Sequence, residues 1–243
     1  MVVTLSQGGY VKRIPADTYR SQHRGGKGVT SMVTRDDDPV RHILVVDTHD
    51  FLLFFTNKGR VLSIKGYELR PDTSRNTRGV PAVNVIPLGE GEVVNEVVGV
   101  SRLDVEDAYV LMGTRRGSIK RMPLSAIQSI RRSGLIAMAL RPGDELVSVR
   151  LCGQEDDVIM VSQQGMSIRF PAKQVTPHSR SAGGMKGMTL RPKDRVVGME
   201  VVLEAGKLLV ISEKGFGKLT SFKHYRQQTR GGLGIKTLNI TDK

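Results

Sequence analysis

The chain has 243 residues, with 37 Lys and Arg against 24 Asp and Glu and a formal net charge of +13 at pH 7. This charge favours a polyanionic partner, either nucleic acid or an anionic membrane surface. The apolar stretches at 51–55 and 135–140 are too short to cross a bilayer and no charged-then-apolar leader follows Met1, so we expect a soluble intracellular protein.

A turn of the form Ser/Thr-x-x-Gly recurs five times along the chain. Its glycines lie 50, 58, 48 and 50 residues apart, at Gly9, Gly59, Gly117, Gly165 and Gly215. An apolar run precedes each turn and a short strand-like stretch follows it, which predicts a β-hairpin whose glycine supplies the positive φ of a short loop. A period of about fifty residues indicates one repeated structural unit.

Two further features recur in phase with the hairpins. A Gly-x-x-Gly/Ala segment occurs at 25–28, 79–82, 134–137, 184–187 and 231–234, and at the last four we predict simple turns with a basic flank. An apolar strand led by an acidic residue follows Asp38, Glu92, Asp144 and Asp194. Short helical turns are predicted only after each hairpin, as at 123–127 and 171–175, where Pro stands at the start.

These features predict an all-β fold, a propeller-like ring of about five four-stranded antiparallel blades. We expect residues 1–243 to form one repeat-built domain, with repeats at approximately 1–45, 46–100, 101–149, 150–200 and 201–243. Helical periodicity is almost absent, so no long helix is expected in any repeat.

Positive charge is phased with the repeat. Residues 6–28, 56–82, 114–137, 162–187 and 212–236 contain 27 of the 37 Lys and Arg but four of the 24 Asp and Glu. In a ring whose repeats are related by rotation, the basic part of each repeat comes to the same height, so the basic parts form a continuous band. Basic residues scattered without phase would form only an ordinary solvated surface. The chain has no Trp and only five Tyr and six Phe, so it has few aromatic rings on which the bases of a single strand could stack. We expect it to bind duplex DNA largely independently of sequence, with a preference for DNA that bends easily.

The first repeat contains the run Gln22, His23, Arg24, Gly25, Gly26, Lys27 and Gly28. This run resembles the Gln-Arg-Arg-Gly-Gly-Lys/Arg-Gly box of the DNA gyrase A C-terminal domains. The strands flanking Gly9 and the pair Tyr19-Arg20 resemble the same blade, and the five repeats extend the resemblance over the whole chain. Six of the seven box positions match, and His23 replaces an arginine by a group whose charge depends on pH.

The resemblance implies a β-pinwheel, a ring of strand-exchanging blades that wraps duplex DNA and so enables DNA gyrase, an ATP-dependent type II topoisomerase, to introduce negative supercoils. The domain itself would be non-catalytic and without a cofactor, because ATP and magnesium serve other parts of such enzymes. The implied partners are duplex DNA, the remainder of the gyrase A protein, and the gyrase B protein. We expect a monomeric domain in the bacterial cytoplasm, associated with the nucleoid and not with a membrane.

Two sets of DNA-binding residues are predicted. In the box at 22–28, glycines would bring backbone N–H groups close to a phosphate while Arg24 and Lys27 supply charge. The basic band adds a second set, which comprises Lys12, Arg13, Arg78, Lys120, Arg121, Arg131, Arg132, Arg169, Lys173, Arg180, Lys186, Lys218 and Arg230.

Other functions compete with this interpretation. The corresponding C-terminal domain of topoisomerase IV has a degenerate or missing box. The recognisable box at 22–28 argues against that alternative, but His23 keeps it open. A protein-interaction propeller would share the blade size but needs no repeat-phased positive band.

An enzyme is a weaker hypothesis, because no catalytic or metal-binding residue is predicted. The five histidines lie in different segments without metal-ligand spacing, and no nucleophile stands beside a base. Cys152 is the only cysteine, which excludes an internal disulfide and a cysteine-based zinc site, and we predict that it is a packing residue.

Overall fold

The computed structural model describes residues 1–19, 32, 38–72, 74 and 76–240. Its strands β1 to β18 are, in chain order, Val2–Ser6, Tyr10–Ile14, Val40–Val45, Phe51–Thr56, Arg60–Lys65, Val80–Pro81, Val94–Val100, Tyr109–Thr114, Ser118–Pro123, Leu135–Ile136, Leu146–Cys152, Asp157–Ser162, Met166–Pro171, Met185–Lys186, Val196–Val202, Lys207–Ile211, Gly217–Ser221 and Ile235–Lys236. The helices are short 3₁₀ turns at Ala16–Thr18, Gly66–Glu68, Ala82–Asn84, Leu124–Ile127, Ala172–Gln174 and Phe222–His224. The all-β class and the short helical turns after the hairpins are therefore confirmed. The turn at Ala82–Asn84 follows the exchanged strand β6 and was not predicted.

Five antiparallel hairpins form at the five predicted turns. They are β1–β2, β4–β5, β8–β9, β12–β13 and β16–β17. The turn glycines have φ between 75° and 83°, a left-handed conformation that a Cβ atom would disfavour. The prediction of five phased hairpins is confirmed.

A third strand joins each of the first four hairpins, and it is the strand that follows the predicted acidic residue. β3 pairs with β1, β7 with β4, β11 with β8 and β15 with β12, all antiparallel. In each pair the register shifts where the Ser or Thr opens the turn, as a β-bulge requires.

At this bulge the acidic residue accepts a hydrogen bond from the turn hydroxyl. The oxygen-to-oxygen distances are 2.6–2.9 Å in the pairs Ser6–Asp38, Thr56–Glu92, Thr114–Asp144 and Ser162–Asp194. In three repeats the second carboxylate oxygen also accepts a backbone N–H of the turn, from Gly8, Arg116 and Gln164. The leading carboxylates therefore hold the third strand on the turn, and their charge is satisfied inside the repeat.

The fourth strand of each complete sheet comes from the following repeat. The strand orders are β3-β1-β2-β6, β10-β5-β4-β7, β11-β8-β9-β14 and β15-β12-β13-β18. The exchanged strands β6, β10 and β14 lie within the Gly-x-x-Gly/Ala segments at 79–82, 134–137 and 184–187, so the prediction of simple turns there was wrong. The segment at 231–234 begins with a turn, as predicted, and leads directly into β18. Two-residue strands are too short to show an alternating pattern, and they form because their N–H and C=O groups complete the edge of a neighbouring hairpin.

The fifth hairpin differs from the other four. In the described part of the chain β16 and β17 form a two-stranded sheet, whereas the other four sheets have four strands each. Leu209 on β16 is 58% exposed, while its counterparts Leu111 and Ile159 are fully buried. The predicted number of about five blades corresponds to four complete sheets and one hairpin.

The chain divides into two compact units, each with its own core. Unit 1 comprises residues 1–56, 60–103 and 129–135, and unit 2 comprises residues 57–59, 104–128 and 136–243. The core of unit 1 includes Leu52, Phe54 and Leu62. The core of unit 2 is built around Ile168 and Phe170, so apolar side chains on the inner faces of the sheets supply the main burial in both units.

Candidate nucleic-acid interface

Exposed basic residues recur in the connecting segments, which lead from the second to fifth hairpins to the exchanged strands at 66–79, 124–134, 172–184 and 222–234. Five of the predicted DNA-binding residues are exposed, and no side-chain hydrogen bond or ion pair within the described ranges engages them. They are Arg131, Arg132, Arg180, Lys186 and Lys218. Their charge is therefore available to an external anion such as a phosphate.

In unit 2 the exchanged strand β14 and the residues that follow β10 and β14 are hydrogen-bonded to the connecting segment of the next repeat. The backbone N–H of Ala139 donates to the Ala182 carbonyl at 3.2 Å, and that of Thr189 donates to the Gly232 carbonyl at 2.9 Å. Arg230 Nη1 donates to the Lys186 carbonyl at 2.8 Å. Consecutive repeats therefore place their basic segments next to one another, as a surface that follows a DNA backbone requires.

Four other predicted residues lie inside the protein. Lys12 is 2% exposed, Lys120 0%, Arg13 9% and Arg121 4%. Each lies on the second strand of a hairpin, beneath the connecting segment of the next repeat. Their burial argues against direct phosphate contacts, and sequence reasoning could not separate them from exposed cations because β2 and β9 lack a regular polar alternation.

The remaining predicted residues already have partners. Arg169 forms an ion pair with Asp157, with 2.6 Å between Nη2 and Oδ2. Arg78 lies over the Tyr10 ring, 3.6 Å from its centroid. Lys173 pairs with Glu155 at 3.0 Å, and Arg230 is half-buried, with Nε donating to the Gln174 carbonyl. Of these, the exposed Lys173 is the one that a phosphate could most easily take from its partner.

The predicted box at 22–28 lies outside the described residues. Four exposed cations that the sequence prediction left out belong to the basic segment of the fifth repeat: Lys214, Lys223, Arg226 and Lys236. Their membership in the stretch 212–236, which is rich in Lys and Arg, was the signal that could have identified them.

The described residues contain no group of three or more His, Cys, Asp or Glu side chains placed to hold a metal ion. Burial raises the pKa of the Cys152 thiol to about 11, so the side chain is protonated at neutral pH and poorly nucleophilic. It packs with Phe170 and Val175 in the core of unit 2, as predicted for a packing residue. None of the helices in the described ranges is long and apolar enough to span a membrane.

Fold and surface together define a class: a repeat-built β-protein of strand-exchanging, propeller-like sheets with basic connecting segments. The family model of the DNA gyrase C-terminal domain, a β-propeller, matches residues 1–47, 50–101, 108–152, 156–203 and 206–243. The chain belongs to this family. Each matched segment contains one of the five hairpins.

Comparisons with individual proteins support the same family. The chain is 44% identical over 245 aligned residues to the DNA gyrase A protein of Staphylococcus aureus (strain NCTC 8325 / PS 47), covering all of this chain and 28% of that protein. A solved DNA gyrase A C-terminal domain superposes with a TM-score of 0.80 at 29% identity, covering 96% of this chain and 75% of that one. The C-terminal domain of DNA topoisomerase IV gives a TM-score of 0.76 at 26% identity, covering 97% and 71%. The chain thus spans less than a third of the length of the Staphylococcus aureus protein.

Proposed function

We propose that residues 1–243 bind and wrap duplex DNA as a non-catalytic domain of DNA gyrase, and thereby enable the enzyme to introduce negative supercoils. The observation that carries the proposal is the recurrence of exposed cations whose side chains have no partner among the described residues. Arg131, Arg132 and Arg180 lie in the connecting segments, Lys186 lies on the exchanged strand β14 and Lys218 on β17. Cations aimed at phosphates position a duplex without reading its bases. Because the same segment recurs in each repeat, contacts spaced along the duplex can support a bend.

The parts of this proposal that depend on the whole enzyme follow from the family. The partners are the remainder of the gyrase A protein and the gyrase B protein, and ATP and magnesium are used outside this domain. We propose that residues 1–243 act as one monomeric DNA-wrapping domain of a cytoplasmic, nucleoid-associated enzyme. The box at 22–28, with Arg24 and Lys27 as its charged members, supplies the contact of the first repeat.

Salt dependence of duplex binding tests the DNA-binding part. If about six to ten phosphates are neutralised, log K falls against log salt with a slope of roughly −5 to −9. Lys12, Lys120, Arg13 and Arg121 are omitted from the proposed contact set because they are buried. Affinity that is nearly independent of salt would refute the proposal and favour a protein-interaction propeller.

The second candidate is the corresponding C-terminal domain of topoisomerase IV, because the solved topoisomerase IV domain also superposes closely. In that case the domain would support relaxation or decatenation rather than negative supercoiling. The identity of 44% to a gyrase A protein along the whole chain favours gyrase. Supercoiling assays of the reconstituted enzyme distinguish the two, because only gyrase converts relaxed DNA to negatively supercoiled DNA.

A further inference from the structure

Four cations on the second strands of the hairpins donate hydrogen bonds to backbone carbonyls of the following repeat. Lys12 Nζ lies 3.0 Å from the Thr77 carbonyl oxygen, and Arg60 Nη2 lies 2.6 Å from that of Ser133. Lys120 Nζ lies 2.8 Å from the Arg180 carbonyl oxygen. In the fourth repeat Arg169 Nη1 donates to the carbonyls of Phe222 and Tyr225 at 3.0 and 3.3 Å.

The carbonyls that accept these bonds lie beside other cations of the same connecting segments. Thr77 precedes the half-buried Arg78, Ser133 follows the exposed Arg131 and Arg132, and the Arg180 carbonyl belongs to an exposed cation itself. Phe222 and Tyr225 each precede an exposed cation, Lys223 and Arg226 respectively. An inner cation that binds the carbonyl oxygens fixes the backbone from below, so the neighbouring side chain is left to extend outwards.

Lys120 has the most complete set of carbonyl contacts. It is fully buried, and its ammonium group also donates to the carbonyls of Ala137 at 2.6 Å and Ala182 at 2.9 Å. Three acceptors match the three N–H donors of a protonated lysine. Burial lowers the pKa of Lys120 to about 8, so the group is still protonated at neutral pH and all three donors are in use.

The alternative role for these residues is direct phosphate contact. A buried ammonium group that satisfies three carbonyls cannot reach a phosphate without breaking those bonds, and breaking them leaves buried carbonyls unsatisfied. The position of Lys120 is held in the second and fourth repeats by the fully buried Leu62 and Ile168. Since an apolar side chain fits there, the position belongs to the interior of the blade.

We infer that the basic charge of this domain has two layers with different roles. Lys12, Arg60, Lys120 and Arg169 are positioning residues that clamp the connecting segments through carbonyl oxygens. The exposed Arg131, Arg132, Arg180, Lys223 and Arg226 are the residues that meet the duplex. The role of the outer layer rests on the proposed DNA-binding function. The role of the inner layer does not, because its hydrogen bonds to the carbonyl oxygens form in the protein without DNA.

Lysine acylation of the unmodified protein, followed by mass spectrometry, tests the two layers without any substitution. Lys12 and Lys120 should be unreactive both free and with a linear duplex bound, whereas Lys223 should be reactive when free and protected on the duplex. Acylation of Lys120 in the free protein, suppressed by DNA, would overturn the inference. If no lysine is protected by DNA, the proposed function fails while the free-state reactivity still tests the clamp.

A pair of variants separates positioning from contact. Arg180→Ala removes an outer cation and should reduce the salt slope of duplex binding by about one. Lys120→Met should leave the slope unchanged and weaken binding roughly three- to tenfold at every salt concentration. The reason is that the connecting segment is no longer held by Lys120, so a contact residue on it must be ordered when DNA binds. A loss of about one unit of slope in Lys120→Met would identify it as a phosphate contact and overturn the inference.

Hydrogen exchange of the free variants provides a readout that does not involve DNA. The Ala139 amide donates to the Ala182 carbonyl, which Lys120 also binds. This amide should exchange on the order of tenfold faster in Lys120→Met, because the Ala182 carbonyl that accepts its hydrogen bond is no longer held by the charged ammonium group. It should be unchanged in Arg180→Ala. Equal exchange in both variants would contradict the clamp, whatever the outcome of the DNA titrations.

Discussion

Thr114 Oγ1 donates a hydrogen bond to Asp144 Oδ2 at 2.7 Å across the turn of the third hairpin. The other oxygen of Asp144 accepts the backbone N–H of Arg116 at 3.0 Å. Thr114 is fully buried and Asp144 is 8% exposed. The same hydroxyl–carboxylate bond recurs in four repeats, so each acidic residue ties the third strand of its sheet to the turn of its own hairpin.

Thr114→Val should therefore lower the free energy of unfolding by about 1–3 kcal/mol, because the buried Asp144 oxygen loses its donor while the side-chain shape is kept. Urea denaturation measures the change. Thr176→Val is the matched control, since Thr176 is exposed, and it should shift the free energy by less than about 0.5 kcal/mol. Equal effects of the two substitutions would show that the turn bond does not stabilise the repeat.

The ion pairs of the fourth repeat should differ in strength according to their exposure. Arg169 and Asp157 are 18% and 10% exposed, whereas Lys173 and Glu155 are 58% and 74% exposed. Arg169→Met leaves a buried carboxylate without its cation and should cost about 3–5 kcal/mol of stability. Lys173→Met should cost less than about 1 kcal/mol. Comparable losses in thermal or urea unfolding would contradict this difference in burial.

Lys120 should give stability a specific pH dependence. Burial lowers its pKa from 10.5 to about 8, so between these values the unfolded state binds more protons than the folded state. The free energy of unfolding then rises with pH across this window, by up to about 3 kcal/mol. Below about pH 8 both states are protonated and this contribution is constant. Urea titrations at pH 7.5 and 10.5 should show a smaller rise in Lys120→Met than in the unmodified protein, and an identical rise would refute the assignment.

Cys152 should be chemically inert in the folded protein. Its thiol is buried, with a pKa raised to about 11 by burial, and the thiolate is the reactive form. A thiol-specific chromogenic reagent at pH 8 should label it only after denaturant is added. Rapid labelling of the native protein, at the rate of a free thiol, would show that the core around Cys152 opens readily.

The sequence predicted correctly those structural elements whose key residues recur at a regular interval along the chain. The turn glycines, such as Gly117, and the acidic residues that lead the third strands recur every fifty or so residues, and glycine and carboxylate have few substitutes in those positions. The exchanged strands were missed because two residues cannot show an alternating pattern. The two layers of charge were missed because Lys120 and Arg180 are equally basic in the sequence, and only the packing of the next repeat buries one of them.

Replacement of Arg24 and Lys27 by Ala tests the predicted role of the box. The double substitution removes two of the 27 basic residues of the band, so the salt slope of DNA binding should fall by about two at most. Bending a duplex costs several kcal/mol and needs contacts at every blade along the path. Supercoiling by the reconstituted enzyme should collapse while relaxation persists, and intact supercoiling would show that other blades organise the wrap.

The central claim is that the domain wraps duplex DNA. The most direct measurement is the linking number of nicked circular DNA that is religated with the domain bound and then deproteinised. Wrapping predicts a topoisomer distribution that shifts in one direction as more domain is added, with a smaller shift for a variant in which Arg131, Arg132 and Arg180 are replaced by Ala. A distribution that stays at the position of protein-free DNA, under conditions where binding is saturated, would contradict wrapping.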